Sequence, residues 1–395
     1  MKIAILVGDG MGDYGLPEYG GRTPLQEARI PTIRRIAAAG HARNVLTVPA
    51  ELSPGSDVAN LALLGYDPRE RYTGRAPIEA AGADLELGPE DTAFRCNLVT
   101  ISDGRMADYS AGHITTEDAR EIIETLDREL GGDGLRFHPG VSYRHLLIWR
   151  NGPVNLRASP PHDITGRPAA ENRPTGDREN EVRRLMEASI EILRDHPVTR
   201  RRRERGEIPA SQIWLWGQGR AMQLPSFQEL YGLRGGVVSA VDLVRGLGRL
   251  AGLEAPKIPG ATGFLDTDTG AKVRAACDIL RRGDFVYVHF EAPDECGHLG
   301  DAKLKIEAIE MFDVKVVEPM WAFLESLGEP YRLIVATDHR TPCATRGHTG
   351  EPVPLAVLKG PLRNPAKAEA PFDETLEPKS DPPMAFDQIR KLLER

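Results

Sequence analysis

The chain alternates short apolar runs with longer stretches of helical periodicity. Residues 3–7, 285–290 and 332–337 are apolar, β-branched runs too short for helices, so we predict buried strands there. Residues 115–130 and 303–327 carry apolar positions at helical spacing, which predicts amphipathic helices. The same patterns predict further strands at 44–48, 94–101, 143–149, 213–216, 236–240 and 355–358, and helices at 32–39, 180–193, 241–250, 271–281 and from 385.

The order of these elements indicates an α/β protein that is interrupted once. From about residue 85 strands and helices cease to alternate regularly, and residues 151–176 form a Pro- and Gly-rich polar loop. We therefore predict a core domain from 1–87 and 227–395, with a mostly parallel sheet sandwiched by helices, and a smaller inserted α+β domain at 88–226.

Composition narrows the function class. The 395 residues are 41% hydrophobic and 27% charged, with a formal net charge of −8, so no nucleic-acid or membrane partner is expected. The basic residues at 200–203 and Arg205 are interpreted as a solvated loop. Four scattered cysteines without a C-x-x-C pair predict a reducing, cytoplasmic setting, and Cys296 is expected to point away from any metal. The first residues are read as a strand, not a signal peptide.

Side chains suited to metal binding follow several predicted strands. In an open α/β sheet, ligands collect at the carboxyl ends of the strands. Each of these residues alone fits a turn residue or a cap equally well. Together they supply carboxylates and imidazoles for two divalent cations. The six residues are Asp9, Asp294, His298, Asp338, His339 and His348.

Ser56 lies in SPGSDVANL, at the start of a predicted helix. It could be an N-cap. It could also be a nucleophile, since backbone N–H groups at a helix N-terminus favour an incoming phosphate. A serine needs activation to attack, and a bound metal supplies it. With the six metal-competent residues, the pattern predicts a two-metal phosphoryl-transfer site.

Four motifs then carry a family resemblance: SPGSDVANLALLGYDPRERYTGRAPIEAA, VHFEAPDECGHLGD, TDHRT and GHTG. Over nearly its whole length, the chain resembles the archaeal-type cofactor-independent phosphoglycerate mutases of the alkaline phosphatase superfamily. The resemblance implies an alkaline-phosphatase-like core and interconversion of 3-phosphoglycerate and 2-phosphoglycerate through a phosphoserine. It implies no need for 2,3-bisphosphoglycerate, and a monomer or small homo-oligomer is expected.

The resemblance also assigns roles. Ser56 matches the nucleophile, and two divalent metals are implied, usually Mn²⁺, with Zn²⁺, Co²⁺ or Mg²⁺ as alternatives. One metal would take Asp294, His298 and His348; the other would take Asp9, Ser56, Asp338 and His339. His113 matches a histidine that exchanges a proton with a glycerate hydroxyl, although a surface histidine before a capped helix explains it as well. Contacts to the small phosphorylated substrate are expected from Arg75, His162, Asp163, Arg167, Arg220 and Lys272.

Three alternatives stay open at this point. A similar subgroup has been proposed to phosphorylate homoserine, and the absence of a Walker-type loop excludes only a P-loop kinase. A metal-dependent phosphatase or phosphonate hydrolase could use the same residues. A non-catalytic binding protein is the third, and the presence of the nucleophile and every candidate ligand weighs against it.

Overall fold

The computed structural model describes residues 1–132, 134–364, 366–378 and 380–394. The strands of this part are β1 (Lys2–Gly8), β2 (His41–Val45), β3 (Asp91–Ser102), β4 (Arg105–Asp108), β5 (Leu135–Val141), β6 (Arg144–Arg150), β7 (Leu156–Arg157), β8 (Thr175–Gly176), β9 (Gln212–Arg220), β10 (Gly235–Val238), β11 (Phe285–Phe290), β12 (Tyr331–Thr337) and β13 (Val353–Gly360).

The α-helices of the same part are α1 (Pro24–Glu27), α2 (Pro31–Ala39), α3 (Ser56–Leu63), α4 (Pro68–Arg71), α5 (Arg75–Gly82), α6 (Thr116–Leu130), α7 (Glu179–Arg194), α8 (Pro197–Glu204), α9 (Phe227–Tyr231), α10 (Asp242–Leu250), α11 (Thr269–Arg282), α12 (Ala292–Leu299), α13 (Ala302–Phe312), α14 (Glu318–Ser326) and α15 (Ala385–Leu393). None of the described helices is long and apolar enough to cross a membrane.

The chain separates into two compact units. The first comprises Met1–Tyr72 and Gln223–Arg395, and the second comprises Thr73–Met222. These bounds differ from the predicted insertion at 88–226, since residues 73–87 lie in the second unit and residues 223–226 lie in the first. The reason is that α5 packs against β3 and β9, which belong to the second unit.

The first unit is built on a six-stranded sheet in the order β10-β11-β1-β12-β13-β2. The first four strands are parallel, whereas β13 is antiparallel to both of its neighbours. The predicted α/β fold with a mostly parallel sheet is therefore confirmed. In this register Gly8 lies opposite both Phe290 and Thr337, so β1, β11 and β12 end at one level.

Apolar side chains cover both faces of this sheet. On one face Leu6, Val288 and Val335 are fully buried in a cluster that includes residues of α2, α11 and α13. On the other face the ring of Phe285 lies 4.7 Å from that of Phe227, at the start of α9. The parallel strands therefore lie between helices, as buried parallel strands require.

Several local predictions were wrong. Residues 292–299 form α12, where no helix is predicted, and the second strand spans His41–Val45 instead of 44–48. The predicted helix at 303–327 is α13 and α14 joined by a π-helical turn, Asp313–Val317. The basic segment read as a loop contains α8, whose Arg202 is buried and pairs with Glu207.

The second unit holds an antiparallel sheet in the order β4-β3-β6-β5, with β9 paired to β3. One face of this sheet is buried under helices, because Phe94 and Leu215 share an apolar cluster with Ile122 of α6 and Val182 of α7. The short pair β7 and β8 lies within the stretch predicted as a long loop. Strands β4 and β5 were not predicted.

A buried ion pair between Lys305 and Asp13 gives a stability prediction. Both side chains have no exposed surface, and the Lys305 ammonium lies 2.8 Å from Asp13 Oδ2 and donates to the carbonyls of Gly12 and Thr341. Because K305M leaves a buried carboxylate without its cation, we expect a loss of about 3–5 kcal/mol in the free energy of unfolding, measured by denaturant titration.

The exposed pair of Arg281 and Asp278, with side chains 59% and 61% exposed, provides the control. R281M should change the free energy of unfolding by at most about 1 kcal/mol. Equal, small effects of K305M and R281M would contradict the structural role assigned to the buried pair.

Candidate metal centre

The loops that follow β1 and β12 bring together one predicted ligand set around His339. His339 Nε2 lies 3.0 Å from Ser56 Oγ and 3.4 Å from both Asp9 Oδ1 and Asp338 Oδ2. Ser56 is the first residue of α3, and Asp9 and Asp338 directly follow β1 and β12. Sequence-distant residues thus meet because the two strands end side by side.

A second predicted set forms around Asp294. His298 Nε2 lies 3.2 Å from Asp294 Oδ2, and His348 Nε2 lies 3.4 Å from Asp294 Oδ1. Asp294 and His298 are four residues apart on α12, which places them on one face of the helix. The two sets adjoin each other, since the rings of His339 and His348 are 4.3 Å apart.

The donor atoms fit divalent cations. Two groups of three residues each bring their ligand atoms within 4.8 Å of one another. One group is Asp294, His339 and His348, and the other is Asp9, Asp338 and His339. His298 Nε2 and His348 Nε2 face each other at 3.0 Å. In the neutral ring of His298, Nδ1 donates to the Arg346 carbonyl, 3.0 Å away, and Nε2 then presents a lone pair to the site.

The pKa shifts of Asp9 and His339 also support a cation at this site. Burial, together with the carboxylates of Asp338 and Asp294, holds the pKa of Asp9 well above its ordinary value. Among the described residues, none donates a hydrogen bond to the buried Asp9 Oδ1. Burial also lowers the pKa of His339 to about 4, which keeps the imidazole neutral, as metal ligation requires. Clustered carboxylates with a neutral imidazole are a donor set that a cation would stabilise.

Two residues that the sequence analysis missed hold Asp338 in place. Asn60 Nδ2 donates to Asp338 Oδ2 and to the Ser56 carbonyl, each at 2.8 Å. Its Oδ1 accepts the Tyr287 hydroxyl. Asn60 lies one helical turn after Ser56 on α3, and that i,i+4 spacing was the signal available in the sequence.

Asp9 has its own missed neighbour in His289, whose Nε2 lies 3.2 Å from Asp9 Oδ2. Behind it lie Glu291 and Lys272. Lys272 was predicted to contact substrate, but it has no exposed surface, and Glu291 binds its ammonium group. That prediction is wrong, because the residue is an interior charge and cannot reach a ligand.

In the second unit, several predicted substrate residues surround an aromatic cluster. The ring of His113 lies 6.4 Å from that of Tyr143, and the ring of His162 lies 5.5 Å from that of Trp216. The Arg75 guanidinium lies 5.8 Å from the Trp216 ring. We call this set, with the two arginines described next, the arginine–aromatic face.

Arg95 and Arg144 complete this face and were not predicted. Their guanidinium groups lie 5.0 Å from the Trp216 ring and 5.5 Å from the Tyr143 ring. Arg95 and Arg144 come from the adjacent strands β3 and β6, in which alternate residues such as Cys96 and Leu147 point into the helix-covered core. Period-two alternation within these strands was the available signal.

Other predicted contacts take different places. Arg220 hydrogen-bonds the Glu90 carbonyl, and Arg167 lies in an exposed loop that is bound through its backbone to Met106. Asp163 lies 3.6 Å from His162 Nε2, with its side chain 61% exposed. Their roles in substrate binding stay predictions.

Comparison with known proteins identifies the family of this chain. The family model of the 2,3-bisphosphoglycerate-independent phosphoglycerate mutases matches residues 37–199. The enzyme of that name from Methanothrix thermoacetophila is 50% identical over 357 residues, covering 90% of each chain.

Two solved structures share the fold. The PH0037 protein from Pyrococcus horikoshii is 29% identical, with a TM-score of 0.74 over 93% of this chain and 90% of that one. The cofactor-independent phosphoglycerate mutase from Thermoplasma acidophilum is 27% identical, with a TM-score of 0.60 over 100% and 99% of the two chains. The chain belongs to the 2,3-bisphosphoglycerate-independent phosphoglycerate mutase family.

Proposed function

We propose that this protein interconverts 3-phosphoglycerate and 2-phosphoglycerate, with Ser56 as the residue that accepts and returns the phosphoryl group. The observation that carries the proposal is the placement of Ser56 Oγ 3.0 Å from His339 Nε2, where the two ligand groups adjoin. The names of the family's curated members support the choice of substrate.

We assign Asp9, Ser56, Asp338 and His339 to one divalent cation, and Asp294, His298 and His348 to the other. Mn²⁺ is the proposed metal, since carboxylates combined with imidazoles suit it, and Zn²⁺, Co²⁺ and Mg²⁺ are alternatives. When bound, such ions neutralise phosphoryl oxygens and lower the pKa of a coordinated hydroxyl.

The position of Ser56 in α3 adds a contribution from the backbone. Ser56 opens a helix of eight residues, whose first N–H groups lack intrahelical partners. These donors and the helix dipole stabilise negative charge close to Ser56 Oγ. The chain itself thus favours both the incoming phosphoryl oxygens and the phosphoserine.

The proposed reaction has two balanced transfers. In the first, the bond from phosphorus to the 3-oxygen of glycerate breaks, one to Ser56 Oγ forms, and the serine proton replaces the phosphoryl group on the substrate. In the second, the 2-oxygen takes the phosphoryl group, and its proton returns to Ser56. No 2,3-bisphosphoglycerate enters either step. We assign the exchange of the hydroxyl protons to His113.

Recognition of the glycerate carboxylate is assigned to the arginine–aromatic face. Planar guanidinium groups bind carboxylates through paired hydrogen bonds, and Arg144 is exposed on this face. His113 has a φ of 48°, and its neighbours Ala111 and Gly112 have φ values of 50° and 66°. Consecutive left-handed residues are uncommon and often hold a functional side chain in place.

The setting proposed for this enzyme is the cytoplasm, as a monomer or small homo-oligomer acting on a small phosphorylated substrate. All four cysteines are buried and free, which suits a reducing compartment. The net charge of −8 disfavours nucleic acid as a partner.

The decisive experiment supplies Mn²⁺ and 3-phosphoglycerate to purified protein and follows both 2-phosphoglycerate and free phosphate. We expect isomerisation without phosphate release. S56A should lower the rate by at least about 10³-fold, because it removes the nucleophile. Brief incubation of the wild type with substrate should also yield a phosphorylated peptide that contains Ser56.

S226A is the matched control, since Ser226 caps α9 in the same unit and is not a candidate ligand. Its rate should equal that of the wild type. Phosphate release alone would replace the proposal with a hydrolase, and turnover of homoserine with a nucleotide would replace it with a kinase-like transferase.

A second prediction tests the arginine–aromatic face. R144M should raise the KM for 3-phosphoglycerate about 10-fold with little change in kcat, because a charged hydrogen bond contributes about 1.5–3 kcal/mol to binding. R150M, at the exposed far end of the same strand, should leave both constants unchanged. An unaltered KM in R144M would remove Arg144 from substrate recognition.

A further inference from the structure

Behind Asp9 lies a buried row of alternating acidic and basic side chains, two of which, His289 and Glu291, lie in the motif VHFEAPDECGHLGD. The row runs from Asp9 to His289, Glu291 and Lys272. We propose that His289 is a positioning residue, supported by Glu291 and Lys272, which holds Asp9 so that one carboxylate oxygen stays free for a cation. This inference rests on the proposed cation site and on no other part of the proposed function.

The two oxygens of Asp9 have different surroundings. Oδ2 lies 3.2 Å from His289 Nε2, whereas Oδ1 faces His339 Nε2 at 3.4 Å. Of the described residues, none donates a hydrogen bond to Oδ1, and the contact of Oδ2 with His289 Nε2 is an ion pair without hydrogen-bond geometry. A carboxylate held at one oxygen by an ion pair presents the other oxygen in a preferred direction, so in this proposal His289 favours the orientation in which Oδ1 of Asp9 points into the ligand group.

His289 can anchor Asp9 only if its own ring is fixed. The residue lies in β11 opposite Val7 of β1 and has no exposed surface. Its second nitrogen, Nδ1, lies 3.4 Å from Glu291 Oε1 and 3.4 Å from Ser239 Oγ. Both ring nitrogens therefore have polar neighbours, which sets the ring orientation from two sides.

Glu291 is itself held by several donors. Its Oε1 accepts the Ala240 N–H at 2.6 Å and the Ser239 hydroxyl at 2.9 Å, and its Oε2 binds the Lys272 ammonium. Lys272 also donates to the His289 carbonyl at 3.1 Å. A buried lysine and glutamate persist only as a fully hydrogen-bonded pair, so this end of the row is rigid.

A buried row of this kind could instead only stabilise the fold. The affinity of the folded protein for a cation distinguishes this stabilising role from the positioning role. Removal of outer groups that orient a metal ligand weakens metal binding by about 10–100-fold. A purely structural row would lower the free energy of unfolding and leave the affinity of the folded protein unchanged.

The experiment measures Mn²⁺ binding to metal-free protein by titration calorimetry, with unfolding followed in parallel. H289L should weaken Mn²⁺ binding at least about 10-fold. H289Q should recover part of the affinity, because its amide can still donate to Asp9. The double variant E291Q/K272M removes both outer charges together, and its affinity should fall between those of the wild type and H289L.

D313N is the control for stability. Asp313 is fully buried and accepts the N–H groups of Thr32 and Ile33 at 3.1 and 2.7 Å, in a part of the unit remote from the ligand loops in sequence. This variant should unfold more easily and bind Mn²⁺ with unchanged affinity.

The outcomes are distinct. A wild type that does not bind Mn²⁺ would overturn the proposed cation site itself. If the wild type and H289L bind Mn²⁺ with equal affinity, only the positioning role is overturned. Should H289L fail to fold, unchanged affinity in E291Q/K272M would overturn it equally.

Discussion

The first unit depends on how it accommodates three carboxylates buried close together. Asp9, Asp294 and Asp338 are each at most 7% exposed, and their mutual repulsion in a poorly solvated interior is costly. Neighbouring groups reduce the cost of burying each carboxylate. Asp294 lies beside the imidazoles of His298 and His348, and Asp338 accepts hydrogen bonds from backbone N–H groups and from Asn60. Asp9 lies beside His289. The remaining excess of negative charge is what makes this a site for cations.

Strand register brings these groups to one place. Because Gly8 lies opposite Phe290 and Thr337, the chain leaves three parallel strands at the same level. Asp9 and Asp338 are then the first residues beyond their strands, and α12 begins two residues after β11. A shift of one residue in either pairing would turn these side chains away from one another. The site is therefore a consequence of the sheet, and its precision depends on the core that fixes the sheet.

Much of this could be predicted from the sequence, and the misses have physical causes. Asp9 and Asp338 could be found because polar residues after apolar runs mark strand ends. His289 and Tyr287 could not, because a residue inside an apolar run is normally read as core. Lys272 was misassigned because a lysine on an amphipathic helix is usually exposed, and only the tertiary structure reveals Glu291 beside it.

The unit boundary was missed for a related reason. Residues 73–87 have no compositional break from the segment before them, and only the packing of α5 on β3 and β9 assigns them to the second unit. Strands β4 and β5 were not predicted because β4 is only 4 residues long and β5 contains Pro139 and Gly140, two residue types that are rare in strands. Such strands form through pairing and not through local preference.

Each of the two units, taken by itself, offers a different chemistry for anionic groups. Carboxylates in the first unit require a cation before they can attract a phosphoryl group, whereas guanidinium groups such as those of the second unit can pair with a carboxylate directly. Arg95 is buried and paired with Glu79. Its role on the arginine–aromatic face is therefore structural. Arg144 is exposed, and it is the arginine of this face that we propose to contact the substrate.

Strand β11 is the element on which the chemistry of the first unit converges. Alternate residues of a strand share a face, so Phe285, Tyr287 and His289 point to the same side of the sheet. Phe285 packs on Phe227, Tyr287 supports Asp338 through Asn60, and His289 supports Asp9. The next helix, α12, adds Asp294 and His298 as ligands. One strand face and its following helix thus position ligands for both proposed cations, so a change in the packing of β11 would alter both sites together.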